Sequence, residues 1–149
     1  MLQKLKKFRV PKDKLKLIFY TFIRPLVEYA CPVWHFALTQ DEIDKIERVQ
    51  KRSLQIIYGG SPLPYSFYLK EFKLESLSSR REKLCQRFGS SLLQHPIYRS
   101  FLPPPFVPIR SRPPREVAEK VPKLTPVHCN TMRYSKSFVP SFVKYYNDL

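Results

Sequence analysis

The sequence predicts an all-α fold, in which a small helical bundle is followed by a proline-rich extended segment and a short C-terminal helix. Apolar residues recur at helical spacing through residues 11–94, and no stretch alternates apolar and polar residues over the length of a strand. Nine of the fifteen prolines lie between residues 96 and 126. Because proline lacks a backbone donor, it disfavours helix interiors and central strands there.

These patterns divide the chain into three parts. Residues 1–95 form the predicted helical domain, and residues 96–131 form a linker rich in proline and arginine, including Arg110, Arg112 and Arg115. Residues 132–149 form a tail with a short helix. Four residues define the apolar face of that helix: Phe138, Phe142, Tyr145 and Leu149.

The first long helical pattern covers residues 12–37. Pro11 suits a helix start, and Asp13 lies in the first turn, where the helix dipole favours negative charge. Pro25 and Pro32 interrupt the pattern, so we expect a bent or broken helix that is buried on most sides and largely buries Trp34. The apolar positions of this segment are Leu15, Ile18, Phe19, Phe22, Leu26 and Val33.

The second helix has the clearest start signal. Thr39 and Glu42 have the spacing of a capping box, Leu38 and Ile43 that of a hydrophobic staple, and Gly59 ends the helix together with Gly60. The buried side is predicted to contain Ile43, Ile46, Val49, Leu54 and Ile57, and the opposite side Lys45, Arg48, Lys51 and Arg52.

Two further helices are predicted before the linker. A short one follows Pro64 and carries the apolar residues Tyr65, Tyr68, Leu69 and Phe72. The next is capped by Ser76, or by Ser79 with Glu82 as a second capping box, and ends at His95 and Pro96. Its predicted apolar stripe is Leu77, Leu84, Phe88 and Leu92, and its polar side is Arg80, Arg81, Lys83 and Arg87.

The composition indicates a polyanionic partner. The net charge is +15 and the pI is about 9.9, so RNA or DNA is the favoured partner, ahead of an acidic membrane surface. Three scattered cysteines suggest no disulfide framework. The N-terminus does not resemble a signal peptide, and the most apolar stretch, residues 15–38, contains charges and prolines. We therefore expect an intracellular protein without a membrane span.

The chain lacks the residue patterns of a nucleotide-polymerising enzyme. Such an enzyme needs carboxylates that hold two metal ions, and this sequence has no adjacent aspartates and no glycine-rich phosphate loop. Cys31 and His35 are four residues apart, and His128 precedes Cys129, but two separated pairs do not have the spacing of a structural zinc site. We expect no catalysis, no metal and no cofactor.

Clustered basic residues are the positive functional signal. Seven candidates lie on two helices: Lys45, Arg48, Lys51, Arg52, Arg80, Arg81 and Arg87. Charged helix faces are often merely solvated, but a basic N-terminus and the arginines of the linker strengthen the interpretation. Such cations would contact phosphates rather than read bases, because nothing in the pattern suggests a base code. Tyr20, Trp34, Tyr58 and Tyr65 could stack on bases, although aromatic residues at helical spacing more often pack in cores.

Several motifs resemble the region that follows the catalytic core in non-LTR (LINE-like) retrotransposon reverse transcriptases. They are residues 22–34 (FIRPLVEYACPVW), residues 45–52 (KIERVQKR) with residues 56–59 (IIYG), residues 74–77 (LESL) before Arg80 and Arg81, and, more loosely, residues 133–140. The resemblance covers nearly the whole chain and is weakest in the proline-rich segment.

This resemblance implies a thumb-like helical region with its C-terminal extension, lying beside the template–primer duplex of an RNA-directed DNA polymerase. The palm that carries the catalytic carboxylates is missing from the sequence, so we expect a non-catalytic fragment, such as a truncated copy. Whether RNA or DNA is preferred, and the oligomeric state, are left open by the sequence.

A second resemblance concerns residues 15–59, which are similar to a segment associated with the N-terminal part of an AlkB-type alkylated-DNA-repair homologue. That enzyme class binds iron through two histidines and a carboxylate, and no His-x-Asp pair occurs here. The alternative function is therefore a non-catalytic protein-interaction module, using the proline-rich segment or exposed apolar helix faces.

Overall fold

The computed structural model describes residues 1–59, 63–107 and 123–148. Within these ranges the fold is all-α, as predicted: the chain forms helices joined by turns, and its one β-type feature is an isolated antiparallel bridge between Pro105 and Leu124. A short 3₁₀ turn, Tyr98–Phe101, follows the bundle. Residues 60–62, 108–122 and 149 lie outside the described residues, and with them the predicted Gly60, Arg110, Arg112, Arg115 and Leu149.

The α-helices have the following bounds: α1 Leu2–Lys7, α2 Lys12–Ile18, α3 Arg24–Glu28, α4 Cys31–Trp34, α5 Gln40–Tyr58, α6 Tyr65–Glu71, α7 Leu77–Gln94, α8 Met132–Ser135 and α9 Phe138–Asp148. A π-helical segment, Phe19–Ile23, joins α2 to α3, and a 3₁₀ turn, His35–Ala37, follows α4. The starts after Pro11 and Pro64 and the end before His95 agree with the sequence predictions.

The chain forms two compact units whose boundaries differ from the predicted domain boundaries. The N-terminal unit contains residues 1–31 and 38–83, and the C-terminal unit contains residues 32–37 and 84–149. Residues 84–94 join the C-terminal unit because Leu92 and Leu93 pack against its core rather than against the helices that precede them. The sequence stretch predicted as a linker therefore contributes residues to a core.

The core of the N-terminal unit lies between α5 and the helices packed on it. Six side chains, each at most 4% exposed, form its centre: Leu2, Leu15, Phe19, Leu54, Ile57 and Tyr68. Helices α1, α2 and α6 all pack against α5. The long helix α5 is therefore the scaffold of this unit. Because its inner side packs against the other helices, the residues on its outer side face solvent.

Proline interrupts the first helical segment, as predicted. The ring of Pro25 would clash with the backbone carbonyl of Thr21 in a regular helix, and the π-helical turn lies where that clash would occur. The Thr21 hydroxyl donates to the Leu17 carbonyl at 2.9 Å within the same region. Before Pro32 the chain breaks completely, with Ala30 at a φ of 50°.

The prediction that this segment is buried on most sides is wrong. Leu15 and Phe19 are buried, but Phe22 is 62% exposed, Leu26 is 77% exposed and Val33 is 80% exposed. The π-helical turn changes the register between Phe19 and Leu26, so the later residues of this helix rotate away from the core, and the break at Ala30 separates Val33 from that helix.

Helix α5 begins as predicted, but its inner side is different. The Glu42 carboxylate accepts hydrogen bonds from the backbone N–H and the hydroxyl of Thr39, both at 2.8 Å, and Gly59 ends the helix with a φ of 77°. Val49, predicted to be buried, is 42% exposed, whereas Gln50 is 1% exposed. The polar Gln50 thus faces the core, where the apolar pattern had placed its neighbour Val49.

Helix α7 is capped by Ser76, whose hydroxyl accepts from the Ser79 N–H at 3.2 Å. The predicted second capping box at Ser79 and Glu82 is wrong, because both residues lie inside the helix. The predicted stripe is also wrong in part, since Phe88 is 43% exposed. The residues of α7 that are buried recur every fourth position: Leu77, Arg81, Cys85 and Gly89.

The C-terminal unit has its own small core, on which the final helix α9 packs. Asn147 ties this helix to the strand-like residue Leu124: its amide Oδ1 accepts from the Leu124 N–H at 2.8 Å, and its Nδ2 donates to the Leu124 carbonyl at 2.9 Å. Trp34, predicted to be largely buried, is only partly buried. The fully buried residues of this core are Leu102, Leu124, Phe142 and Val143.

We predict that Gly89→Ala destabilises the protein by about 1–3 kcal/mol, despite the higher helix propensity of alanine. A Cβ atom on Gly89 would overlap the ring of Phe142, which is itself 2% exposed and has no free space to move into. Urea denaturation should show the loss. Ser90→Ala, at an exposed neighbouring position, should be neutral or slightly stabilising.

Phe142→Leu supplies the second control for this prediction. In the Phe142→Leu variant the aromatic ring is absent, so the loss of stability caused by Gly89→Ala should become smaller or change sign. Gly89→Ala would contradict the packing described here if it left the urea midpoint of the otherwise native chain unchanged or raised it.

Candidate nucleic-acid interface

The outer side of α5 carries the four cations that the sequence singled out on this helix. Lys45, Arg48, Lys51 and Arg52 are all exposed. At 100° per residue, Lys45, Arg48 and Arg52 lie on the side of the helix opposite the buried Leu54, and Lys51 lies on its flank. Burial of the inner side therefore fixes these four side chains, here called the α5 face, toward solvent.

Carboxylates on α5 are confined to its first part and leave the later part net positive. Glu42 is held by the cap, and its hydrogen bonds from Thr39 lower the pKa of that carboxyl below its ordinary value. Asp44 accepts from the Gln40 amide at 3.0 Å, while Arg48 Nε donates to the backbone carbonyl of Asp44 at 3.3 Å. The carboxylates of this first part complement the positive end of the helix dipole.

No carboxylate in the described part of the chain forms a salt bridge with the α5 face. The ion pairs there join Arg24 and Arg80 to Glu28, and Lys83 to Glu75. The cations of the α5 face therefore have no salt-bridge partner among these residues, and the charge of Lys45 acts on Glu42 only as a minor cause of its lowered pKa. An exposed cation without an internal counterion can pair with an external anion without first breaking a bond.

A second basic segment packs against α5. Residues 1–16 contain seven lysines and arginines against one aspartate. Lys6 Nζ donates to the Ile56 carbonyl at 2.6 Å, and Lys12 Nζ lies 5.4 Å from the centroid of the Tyr58 ring. Lys6 thereby satisfies a carbonyl in the last turn of α5, where the helix dipole favours a cation. These contacts attach the basic N-terminal helices to the C-terminal end of α5.

The arginines predicted on α7 do not form a second exposed face. Arg80 is committed to an ion pair, with its Nε 2.5 Å from Glu28 Oε1. Arg81 is 0% exposed, so the prediction that it lies on the polar side of the helix is wrong. Arg87 is exposed but belongs to the C-terminal unit. Of the seven predicted binding residues, the structure brings together the four on α5.

Arg81 is buried beside a polar network that the sequence did not reveal. The Glu47 carboxylate accepts from the Tyr65 hydroxyl and from the Ser78 N–H, each at 2.6 Å. Gln50 Nε2 donates to the Tyr65 oxygen at 2.8 Å. Burial, together with the hydrogen bond to Glu47, raises the pKa of Tyr65, and the positive charge of Arg81 acts in the opposite direction. This network joins α5, α6 and the start of α7.

Three of the four aromatic side chains considered for base stacking, Tyr20, Tyr58 and Tyr65, make contacts within the protein. Tyr58 packs edge-on against the rings of Phe67 and Tyr68, with centroids 5.5 Å and 5.8 Å away. Tyr20 lies under the guanidinium of Arg24, whose Cζ is 4.7 Å from the ring centroid. Tyr65 belongs to the polar network. These tyrosines stabilise the fold and offer little free ring surface to a base.

Other site classes have little support in the described ranges. No three His, Cys, Asp or Glu side chains are grouped there to hold a metal ion, and Cys31 and Cys85 are buried. Glu75, which accepts a hydrogen bond from Lys83, has a lowered pKa for that reason.

No helix in the part of the chain that the structure describes combines the length and the apolarity that crossing a membrane requires.

Comparisons of the chain with protein-family models, with curated proteins and with solved structures give no match.

Proposed function

We propose that this chain binds nucleic acid through the phosphate backbone, catalyses no reaction by itself, and is the thumb-like, post-catalytic part of a non-LTR retrotransposon reverse transcriptase. The observation that carries the binding proposal is the α5 face: four exposed cations on one well-capped helix, with no salt-bridge partner among the described residues. The assignment to the reverse transcriptases rests on the sequence motifs alone.

The physical properties of this surface support the proposal of phosphate binding. Each phosphate that a lysine or arginine neutralises releases condensed counterions, which is the main source of affinity in sequence-independent binding. The α5 face sits on a helix held by a capping box at one end and by the Lys6 contact at the other. The cations are therefore presented on a rigid scaffold, which lowers the entropic cost of engaging several phosphates together.

The direct test is binding of the purified chain to two duplexes of unrelated sequence, followed by fluorescence anisotropy at several salt concentrations. We expect similar affinities for both duplexes, because phosphate contacts carry no sequence information. We also expect log affinity to fall with log salt with a slope of about −3, from three or four contacts at about 0.9 each. Absence of binding at low salt, or a flat salt dependence, would overturn the proposal.

A second candidate function, protein interaction, is favoured by the exposed apolar side chains around Pro25. Phe22 is 62% exposed and Leu26 is 77% exposed, and the two lie four residues apart at the junction of the π-helical segment and α3. An exposed apolar pair of this kind suits a protein partner. Association through it would be insensitive to salt, which separates it from phosphate binding in the same titration.

A further inference from the structure

The turn between α1 and α2 displays an aromatic ring between two cations. Phe8 is 80% exposed, more than most large apolar residues in the described ranges, and its neighbours Lys7 and Arg9 are exposed as well. Lys4, one helical turn earlier in α1, and Lys12, the first residue of α2, are exposed as well. The Phe8 ring is thus an exposed apolar group in a locally basic stretch, whereas its apolar neighbours Leu5 and Val10 pack against the core of the N-terminal unit.

The backbone beneath Phe8 is held in a defined conformation. The Arg9 N–H donates to the Lys6 carbonyl at 2.9 Å, and the Val10 N–H donates to the Leu5 carbonyl at 3.3 Å. This pair of hydrogen bonds is the Schellman arrangement that closes a helix. Leu5 and Val10 pack against the core of the N-terminal unit. The turn is therefore anchored from below, and it holds the Phe8 ring outward.

Arg9 occupies a position at which glycine would be more stable. Its φ of 56° lies in the left-handed region, which glycine adopts without steric cost and arginine does not. Lys73 ends α6 in the same way, with a φ of 51° and hydrogen bonds from its own N–H to Lys70 and from the Leu74 N–H to Leu69. A strained residue that keeps a cation at an exposed turn is a reason to look for a function of that cation.

We propose that the Lys7–Arg9 turn is a stacking platform for an unpaired base of a single-stranded nucleic acid, an inference that rests on the proposed function. Phe8 stacks on the base, and Lys7 and Arg9 contact the phosphates on either side of that nucleotide. Single strands are bound elsewhere by this combination of an aromatic face with flanking cations, because every base has a face that can stack. In a duplex the bases are already stacked, so Phe8 discriminates between the two forms.

Replacement of Phe8 by alanine tests the stacking role. Fluorescence anisotropy with a labelled oligothymidylate of about 15–20 nucleotides should show about a 5- to 100-fold loss of affinity, whereas binding to a blunt duplex should change less than about twofold. Phe8→Trp should bind the oligonucleotide like the wild type, and its emission should be quenched on binding beyond any change shown by the native Trp34. Because Phe8 is exposed, both variants should fold.

Arg9→Gly tests the role of the strained cation, with Lys73→Gly as its matched control. Both substitutions relieve the same backbone strain and remove one positive charge, so each should raise the melting temperature by about 2–5 °C. Only Arg9→Gly should weaken binding to the oligothymidylate, by about threefold or more. Equal affinities for the two glycine variants would contradict the proposed role of Arg9.

The outcomes separate this inference from the proposed function. If Phe8→Ala binds both nucleic acids as the wild type does, or loses affinity equally for both, the platform is refuted while phosphate binding stands. If the wild type binds neither nucleic acid, the proposed function fails together with the platform. If the wild type binds vesicles of phosphatidylserine in a Phe8-dependent manner and shows no Phe8-dependent oligonucleotide binding, the turn is a membrane contact and the inference is overturned.

Discussion

Glu47→Ala is expected to destabilise the protein by about 3 kcal/mol. The Glu47 carboxylate accepts charged hydrogen bonds from the Tyr65 hydroxyl and from the Ser78 N–H at the start of α7, both at 2.6 Å. Hydrogen bonds to charged groups contribute about 1.5–3 kcal/mol each, and a carboxylate near a helix N-terminus is further stabilised by the helix dipole. The variant would also remove a negative charge that acts on Tyr65, as does the positive charge of the buried Arg81.

Urea denaturation of Glu47→Ala and of Glu82→Ala, side by side, measures this effect. Glu82 is exposed on α7, so its replacement removes the same charge without breaking the network and should change the free energy of unfolding by less than about 0.5 kcal/mol. Similar stabilities of the two variants would show that the network around Tyr65 does not hold α5, α6 and α7 together.

Simultaneous replacement of Arg48, Lys51 and Arg52 by alanine is expected to lower the affinity for duplex nucleic acid by about 100-fold at physiological salt. Each phosphate contact on B-form DNA releases about 0.9 counterions, so the variant loses the favourable free energy of that release at three contacts. The three side chains are exposed, so the free energy of unfolding should change little. The loss should be about equal for unrelated sequences.

A control of equal charge distinguishes a binding surface from a general effect of net charge. Arg133, Lys136 and Lys144 are exposed and belong to the C-terminal unit. Their joint replacement by alanine removes the same three charges and should weaken binding much less. If both triple variants lost affinity equally, the α5 face would have no special role, and the high net charge of +15 alone would account for binding.

Local signals in the sequence predicted several helix boundaries correctly. The capping box at Thr39 and Glu42, the break at Gly59 and the starts after Pro11 and Pro64 all occur where the sequence places them. Each depends on residues within one turn of the boundary, so no knowledge of tertiary contacts is needed. The exposure of the α5 face was predictable for a similar reason, because a strongly amphipathic helix buries only one side.

Features that depend on distant residues could not be predicted. Arg81 was expected on the surface because arginine is rarely buried, yet its surroundings include Tyr65 from another helix. Gln50 turns inward because Tyr65 and the Glu75 carbonyl accept its amide hydrogens. Periodicity alone places an apolar residue at such positions, and only the fold reveals the partners that make a polar residue acceptable there.

The prediction that the apolar residues of the first helical segment are buried was wrong for a geometric reason. Its periodicity assumes a regular helix, whereas the π-helical turn before Pro25 changes the register. Phe22 and Leu26 are therefore exposed although their spacing is helical. The sequence does not single out Phe8, the residue of the proposed platform, because it lies in a short turn outside any amphipathic pattern. Its exposure and the φ of Arg9 are visible only in the structure.

The slope of log affinity against log salt, measured on one duplex for the wild type and for the triple alanine variant of Arg48, Lys51 and Arg52, tests the central claim most directly. We predict a wild-type slope of about −3 and a variant slope that is shallower by about two to three units, because each lost phosphate contact removes about 0.9. Identical slopes for two folded proteins, or a wild-type affinity that does not depend on salt, would contradict phosphate binding by the α5 face.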